Sequence, residues 1–201
     1  MSQQIIRDVG ETLVELLRSE LAGLVNSPQQ IALTSPVNAE QQQIRLTVFL
    51  YSVTPTAELR NAPPIRIAPG QERRPPLPLD LYYLMTAFAP DTIQDPTDRT
   101  LEADRLLGAA MQVFYDNGIL SGGTLRGIIP RDSELRLTLQ PITVEDLTRV
   151  WSVFPEQVYR ASVSYLVTPA RIDSRVVLSG QRVVMKQVDL DRIVRHTSVA
   201  G

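Results

Sequence analysis

Seven prolines crowd between Thr54 and Pro78, and no other feature of this 201-residue chain restricts its fold as strongly. They are Pro55, Pro63, Pro64, Pro69, Pro75, Pro76 and Pro78, with Arg60, Arg66, Arg73 and Arg74 set among them. Each proline removes a backbone donor and fixes φ, so neither a helix nor a central strand is expected over 54–78. An extended, polyproline-like loop is expected instead. A loop of that length inside a compact domain is usually functional or mobile.

On either side of this segment the hydrophobic spacing is regular. Ile5, Ile6, Val9, Leu13, Leu16, Leu17, Leu21 and Leu24 recur at three- and four-residue steps, which predicts an amphipathic helix ended by Asn26-Ser27-Pro28. A short apolar stretch surrounds Ile31, and residues 43–53 alternate. Ile44, Leu46, Val48 and Leu50 fall on one side, with Arg45, Thr47, Phe49 and Tyr51 on the other, as in a strand with one buried face. The run 79–88 is nearly all apolar and reads as a buried central strand.

Asp95-Pro96-Thr97 opens a long helix carrying Leu106, Leu107, Ala110 and Phe114, and Asn117-Gly118 suits a left-handed cap at its end. Ser121-Gly122-Gly123 marks a loop, and 134–140 alternates around Leu135, Leu137 and Leu139. Thr143 with Asp146 three residues on starts a short helix through Trp151, which is placed in the core. From Tyr159 a long antiparallel strand is expected, then a hairpin of 176–178 with 183–188 across a turn at Ser179-Gly180. Residues 196–201 are expected to fray. The class is α+β: a mixed, mainly antiparallel sheet packed by an N-terminal helix, a long central helix and a short third helix. One domain over 1–201 is expected from the length.

Charge and chemistry exclude more than they specify. A formal net charge of -2 gives no pull toward phosphate backbones or anionic lipid, so nucleic acid is not an expected partner. No apolar run approaches the roughly 20 residues that span a bilayer, and charges interrupt the first segment as they do not in an export signal. Synthesis and assembly in the cytoplasm, without membrane insertion, are expected. Lys186 is the only lysine; every other cation is arginine. That bias fits charged surface buried against other proteins, and a GC-rich genome would leave the same mark.

There is no cysteine, and the single histidine, His196, lies in the expected tail. Thiolate chemistry, a rigid Ser-His-Asp relay and the usual zinc and iron sites are all removed. Asp91, Asp95 and Asp98 lack the spacing of a calcium loop and read as a helix-capping turn. Asp189 and Asp191 read as a solvated strand end. Gly122, Gly123 and Gly127 lack the lysine and hydroxyl residue of a phosphate loop and read as turns. Tyr82 and Tyr83 point to opposite faces of one strand, so they cannot form one stacking platform. No catalytic, metal or cofactor-binding residue is expected, and no cofactor.

Leu79-Asp80-Leu81-Tyr82-Tyr83-Leu84-Met85-Thr86 is followed by Ala103-Asp104-Arg105-Leu106-Leu107-Gly108-Ala109-Ala110-Met111-Gln112-Val113-Phe114-Tyr115-Asp116. Further along come 134–139, Trp151-Ser152, 159–167 and Ile172-Asp173-Ser174. In this order the blocks resemble the N-terminal domain of tail-terminator (cap) proteins from Photorhabdus-virulence-cassette and antifeeding-prophage type contractile injection systems. The resemblance implies a structural protein: a homo-oligomeric ring, hexameric by expectation, at the end of the inner tube and sheath away from the baseplate. It would stop tube growth and hold the last sheath layer. Relatives extend further at the C-terminus, which leaves the function of that extension open for this chain. The family's motifs carry no catalytic residues.

Two segments are candidate contacts with the ring, the sheath or the tube. The Pro/Arg-rich loop supplies Arg66, Arg73 and Arg74, and the C-terminal hairpin supplies Arg175, Arg182 and Lys186. Cations at sheet-edge positions serve equally as a guard against aggregation. The rival functional class is a small α+β adaptor or ligand-binding module that uses a pocket between the sheet and the long helix. Light scattering separates the two, since an adaptor stays monomeric under all conditions. A metal-dependent enzyme built on the carboxylates is the third reading, tested by metal analysis of purified protein.

Overall fold

The computed structural model describes residues 2–37, 39–57, 62–154 and 158–179. Among these residues three α-helices, α1 (Ile5–Glu20), α2 (Pro96–Asp116) and α3 (Val144–Trp151), accompany nine strands. The strands are β1 (Ile31–Ala32), β2 (Leu46–Pro55), β3 (Ile65–Ala68), β4 (Gln71–Arg73), β5 (Leu77–Ala87), β6 (Ile119–Ser121), β7 (Glu134–Gln140), β8 (Ser162–Ile172) and β9 (Val177–Ser179). Six of them form one sheet in the order β1-β2-β5-β8-β7-β6; β3, β4 and β9 form a second. Among the described residues only β1 and β2 run parallel, so the class is the expected α+β with a mainly antiparallel sheet.

The expected central strand is β5, paired along its length with β2 on one side and β8 on the other. Flanked on both edges and covered on both faces, it can carry apolar residues without interruption. One face of the sheet meets α1 and α2. Val9, Leu13 and Leu17 of α1 pack with Leu106, Ala110 and Phe114 of α2 against Val48, Leu81, Met85 and Val167. The Phe114 and Tyr165 rings meet edge to face at 5.0 Å in that core. A second, aromatic cluster holds Trp151, which contacts Phe154 at 5.9 Å and Tyr159 at 5.8 Å, while Phe154 meets Phe49 of β2 at 5.5 Å. Trp151 is buried, as expected, in this cluster on α3.

The helix ends follow their caps. Asp95 accepts from the backbone N–H of Thr97 and Asp98 at 2.8 and 2.9 Å, so this acidic turn is a helix cap. Thr143 Oγ1 accepts from Asp146 N at 3.1 Å and donates to the Asp146 carboxylate at 2.7 Å, fastening the start of α3. The end of α2 departs from expectation. Asn117 has φ −111° and is not left-handed; its side-chain amide donates to Val113 O at 2.9 Å and closes the helix that way.

Three further differences concern strands. The expected loop over 54–78 contains the β3–β4 hairpin, and β9 pairs with β4. The long strand expected from Tyr159 starts only at Ser162, after the Tyr159-Arg160-Ala161 approach. A short strand, β6, precedes the loop expected at Ser121-Gly122-Gly123 and takes in its first residue, Ser121. The partner strand at 183–188, the acidic pair Asp189 and Asp191, and the tail with His196 lie outside the described residues.

Tyr83 is buried in the core, and its hydroxyl has no hydrogen-bond partner among the described residues. Burial pushes its pKa well above the ordinary tyrosine value. A buried unmade hydrogen bond is a cost that phenylalanine at the same site avoids. Tyr83→Phe is therefore expected to leave urea stability unchanged or to raise it by up to ~1 kcal/mol. A clear loss would show that the hydroxyl is satisfied in solution.

Candidate assembly surfaces

The cationic residues singled out in the sequence converge. Arg66 is on β3, Arg73 on β4, Arg74 directly follows, and Arg175 sits just before β9. The β3–β4 hairpin turns at Pro69-Gly70, where Gly70 has φ +75°. Proline suits the first corner of such a turn, and glycine suits the second. Arg74 N then donates to Val176 O at 3.1 Å, continuing the contact toward β9. The turn and the pairing with β9 thus place four of the six candidate residues on one small sheet and its margin. Arg182 and Lys186 lie outside the described residues.

Register decides what each face of this sheet presents. Ile65, Arg73 and Val177 lie across from one another on one face; Arg66, Glu72 and Leu178 do so on the other. Every residue of β3 and β4 is exposed except the half-buried Ala68, and Val177 and Leu178 are exposed too. Val53, Ile67, Leu77 and Val176 add to the exposed apolar side chains at this end of the molecule. Sequence reasoning found the arginines and missed these apolar neighbours, because the prolines masked the two-residue period of Ile65 and Ile67.

The opposite end of β5 is also polar, but most of its charges are paired. Arg45 is buried: Nε donates to Phe88 O at 2.6 Å and one terminal nitrogen to Glu102 at 2.9 Å. The alternation had put Arg45 on the outer side of its strand. It is covered because α2 crosses that strand's mouth, bringing Glu102 over it. Arg105 also binds Glu102, at 2.8 Å. The Arg105 hydrogen bond, seconded by Arg45, holds the Glu102 carboxyl below the usual range against a smaller opposing effect of burial. A carboxyl lowered in the folded state adds stability above its unfolded pKa, near 4.3, and loses it as pH falls through the folded value. Glu102→Gln is expected to flatten the acid limb of a stability-versus-pH curve below about pH 4.3. An acid limb identical to wild type would contradict this.

A cavity of about 490 Å³ lies between α2 and the ends of β5 and β8, where a ligand pocket would have to be. Ala87, Ala89, Ala103, Leu107 and Tyr159 line it, with Arg99 and Arg160 at its rim. Both arginines are already engaged, donating to the same Glu40 oxygen at 2.8 and 2.9 Å. Thr100 donates its hydroxyl to Pro96 O. The pocket therefore offers a ligand shape but few free polar anchors. Among the described residues no group of three or more His, Asp or Glu side chains is placed to hold a metal ion, and no helix is long and apolar enough to cross a membrane.

Residues 8–186 match the family model of the Pvc16 N-terminal domain. Nothing among curated proteins matches the sequence. Among solved structures, the chain is similar to the PVC sheath/tube terminator of an extracellular contractile injection system in its extended state, with TM-score 0.60 and 18% identity. That match covers 94% of this chain and 65% of the other. It is also similar to the tube-terminating cap of the anti-feeding prophage, with TM-score 0.54 and 18% identity over 90% of this chain and 60% of that one. The chain thus spans somewhat less than two thirds of the length of either structure.

Proposed function

This chain belongs to the Pvc16 N-terminal domain family, and from that premise we propose that it is a non-catalytic structural cap of a phage-tail-like contractile injection system. It ends tube and sheath polymerisation at the end away from the baseplate and holds the last sheath layer. The observation that carries the reading is the family match over 8–186, joined to a fold shared over most of this chain with a sheath/tube terminator.

The physical requirement is simple. A growing tube stops when its last ring is covered by a subunit that matches that ring on one face and offers no equivalent face beyond. Heterologous contacts between neighbouring copies close into a ring when the rotation permits, and a hexamer is the expected ring. The partners are then further copies of this chain, the sheath protein and the tube protein, met during assembly in the cytoplasm. Contacts are assigned to Arg66, Arg73, Arg74 and Arg175, and to Arg182 and Lys186 beyond the described residues. An exposed strand of this C-terminal region can accept or lend pairing to a sheath arm.

Electron microscopy of purified tubes and sheaths incubated with gold-labelled protein tests the assignment. Label is expected at one end of each particle only. Label along the length, or none at either end, would contradict it.

A further inference from the structure

The small β3-β4-β9 sheet is built in a way that a lone chain does not favour. Three strands hold together when one face is buried, yet Ile65, Arg66, Glu72, Arg73, Val177 and Leu178 are exposed on its two faces. Exposed apolar side chains gathered at one place mark a surface that another protein covers. The charge at this place is one-sided. Segments 65–74 and 171–178 carry five arginines against Glu72 and Asp173, in a chain whose net charge is -2. No ion pair forms at Arg66, Arg73 or Arg74 among the described residues.

The complement lies on the same molecule at the other end. β5 runs 11 residues from Leu77, beside the small sheet, to Ala87, beside the loop that leads into α2. At ~3.3 Å per residue the two ends are about 33 Å apart. Residues 90–98 at the far end carry Asp91, Asp95 and Asp98, all three exposed, and Arg99, which follows and donates to Ile93 O at 3.1 Å, is itself paired with Glu40. Asp95 is occupied as the helix cap; Asp91 and Asp98 form no ion pair among the described residues. Surfaces of opposite sign at opposite ends cannot meet within one rigid copy, but they meet between two copies laid head to tail.

We infer that the face of the β3-β4-β9 sheet that carries Arg66 and Leu178, with Arg74 one step past β4 on the same side, docks on the 90–98 segment of a second copy of this chain, setting Arg66 and Arg74 against Asp91 and Asp98. This contact is heterologous, the type that closes into a ring. The inference rests on the ring reading above and assigns its two surfaces. Exposed charges steer such a contact and fix its register, while the apolar side chains of the sheet supply the buried area. The contact is therefore salt-sensitive, because the screening length falls from about 10 Å at 0.1 M to about 3 Å at 1 M salt.

Light scattering after size exclusion tests it with two charge-reversed variants of the full chain. One is Arg66→Glu/Arg74→Glu; the other is Asp91→Lys/Asp98→Lys, which spares the Asp95 cap. Each alone is expected to weaken self-association at least about 100-fold, the effect of several like charges set opposite one another. An equimolar mixture of the two is expected to restore assembly, since each then meets its complement. Circular dichroism melting curves matching wild type separate loss of contact from loss of fold, and a salt titration of the wild-type oligomer checks the same contact without any substitution. A wild-type chain that stays monomeric at every concentration overturns the ring reading and this inference with it. A wild-type ring that both variants still form, that shows no salt dependence, or that the mixture fails to restore leaves the ring reading standing and overturns this inference alone.

Discussion

Gly127→Ala loses about 3 kcal/mol of folding stability, whereas Gly122→Ala loses at most ~1.5 kcal/mol, although both glycines sit at nearly the same positive φ. The backbone values are +64° at Gly127 and +60° at Gly122, so the left-handed conformation costs an alanine ~1–2 kcal/mol at either site. A stiffer unfolded chain returns ~0.4–1 kcal/mol of that. The difference lies in the surroundings. A Cβ on Gly122 meets nothing within 4 Å, while one on Gly127 would lie 2.2 Å from the Asp8 carboxyl carbon. Asp8 is only 2% exposed and accepts from Ile128 N at 2.9 Å, and Thr12 one turn along accepts from Arg126 N at 3.0 Å. Through these two side chains α1 clasps the 126–128 turn. An alanine pushes Asp8 out of a buried place and leaves its partner unsatisfied, which adds ~1–3 kcal/mol. Urea denaturation of the two variants measures the contrast; equal losses would dissolve the clasp.

Arg45→Ala is the second large effect, expected at about 3 kcal/mol. The substitution removes a fork that satisfies Phe88 O and Glu102 together, and it strips the packing of a long side chain that is 6% exposed. Removing one partner of a buried pair leaves the other unpaired, which is the costly way to break it. Glu102 keeps Arg105, which holds the loss near ~3 kcal/mol rather than the ~5 kcal/mol of a fully stranded buried charge. Arg45→Lys retains the charge but not the planar fork, and about half of the stability is expected back. If Arg45→Lys and Arg45→Ala unfold alike, the charge contributes nothing and packing of the fork is the whole effect.

Both sites show where sequence reasoning reaches its limit. The blocks over 79–86 and 103–116 were legible because each residue's environment is set locally, by the period of its own strand or helix. Asp95 and Thr143 were legible as caps for the same reason. Arg45 was misplaced because its partner Glu102 lies 57 positions away, and Asp8 meets Ile128 across 120 positions; no spacing rule reports such pairs. The β3–β4 hairpin was hidden by its own prolines. Its strands occupy the proline-free steps 65–68 and 71–73, with Pro69 in the turn and Pro64 and Pro75 outside the ladder, the positions an edge hairpin tolerates. The arginines of the candidate surface could be named from sequence, but only the register of this hairpin with β9 shows that they share a sheet.

The cap assignment is tested most directly by the lengths of particles made in cells with and without this chain, measured in electron micrographs. Without it, tubes and sheaths are expected to lose their fixed length and the ordered final sheath layer, and supplying the wild-type chain is expected to restore both. A length distribution and sheath end unchanged by its removal would contradict the assignment.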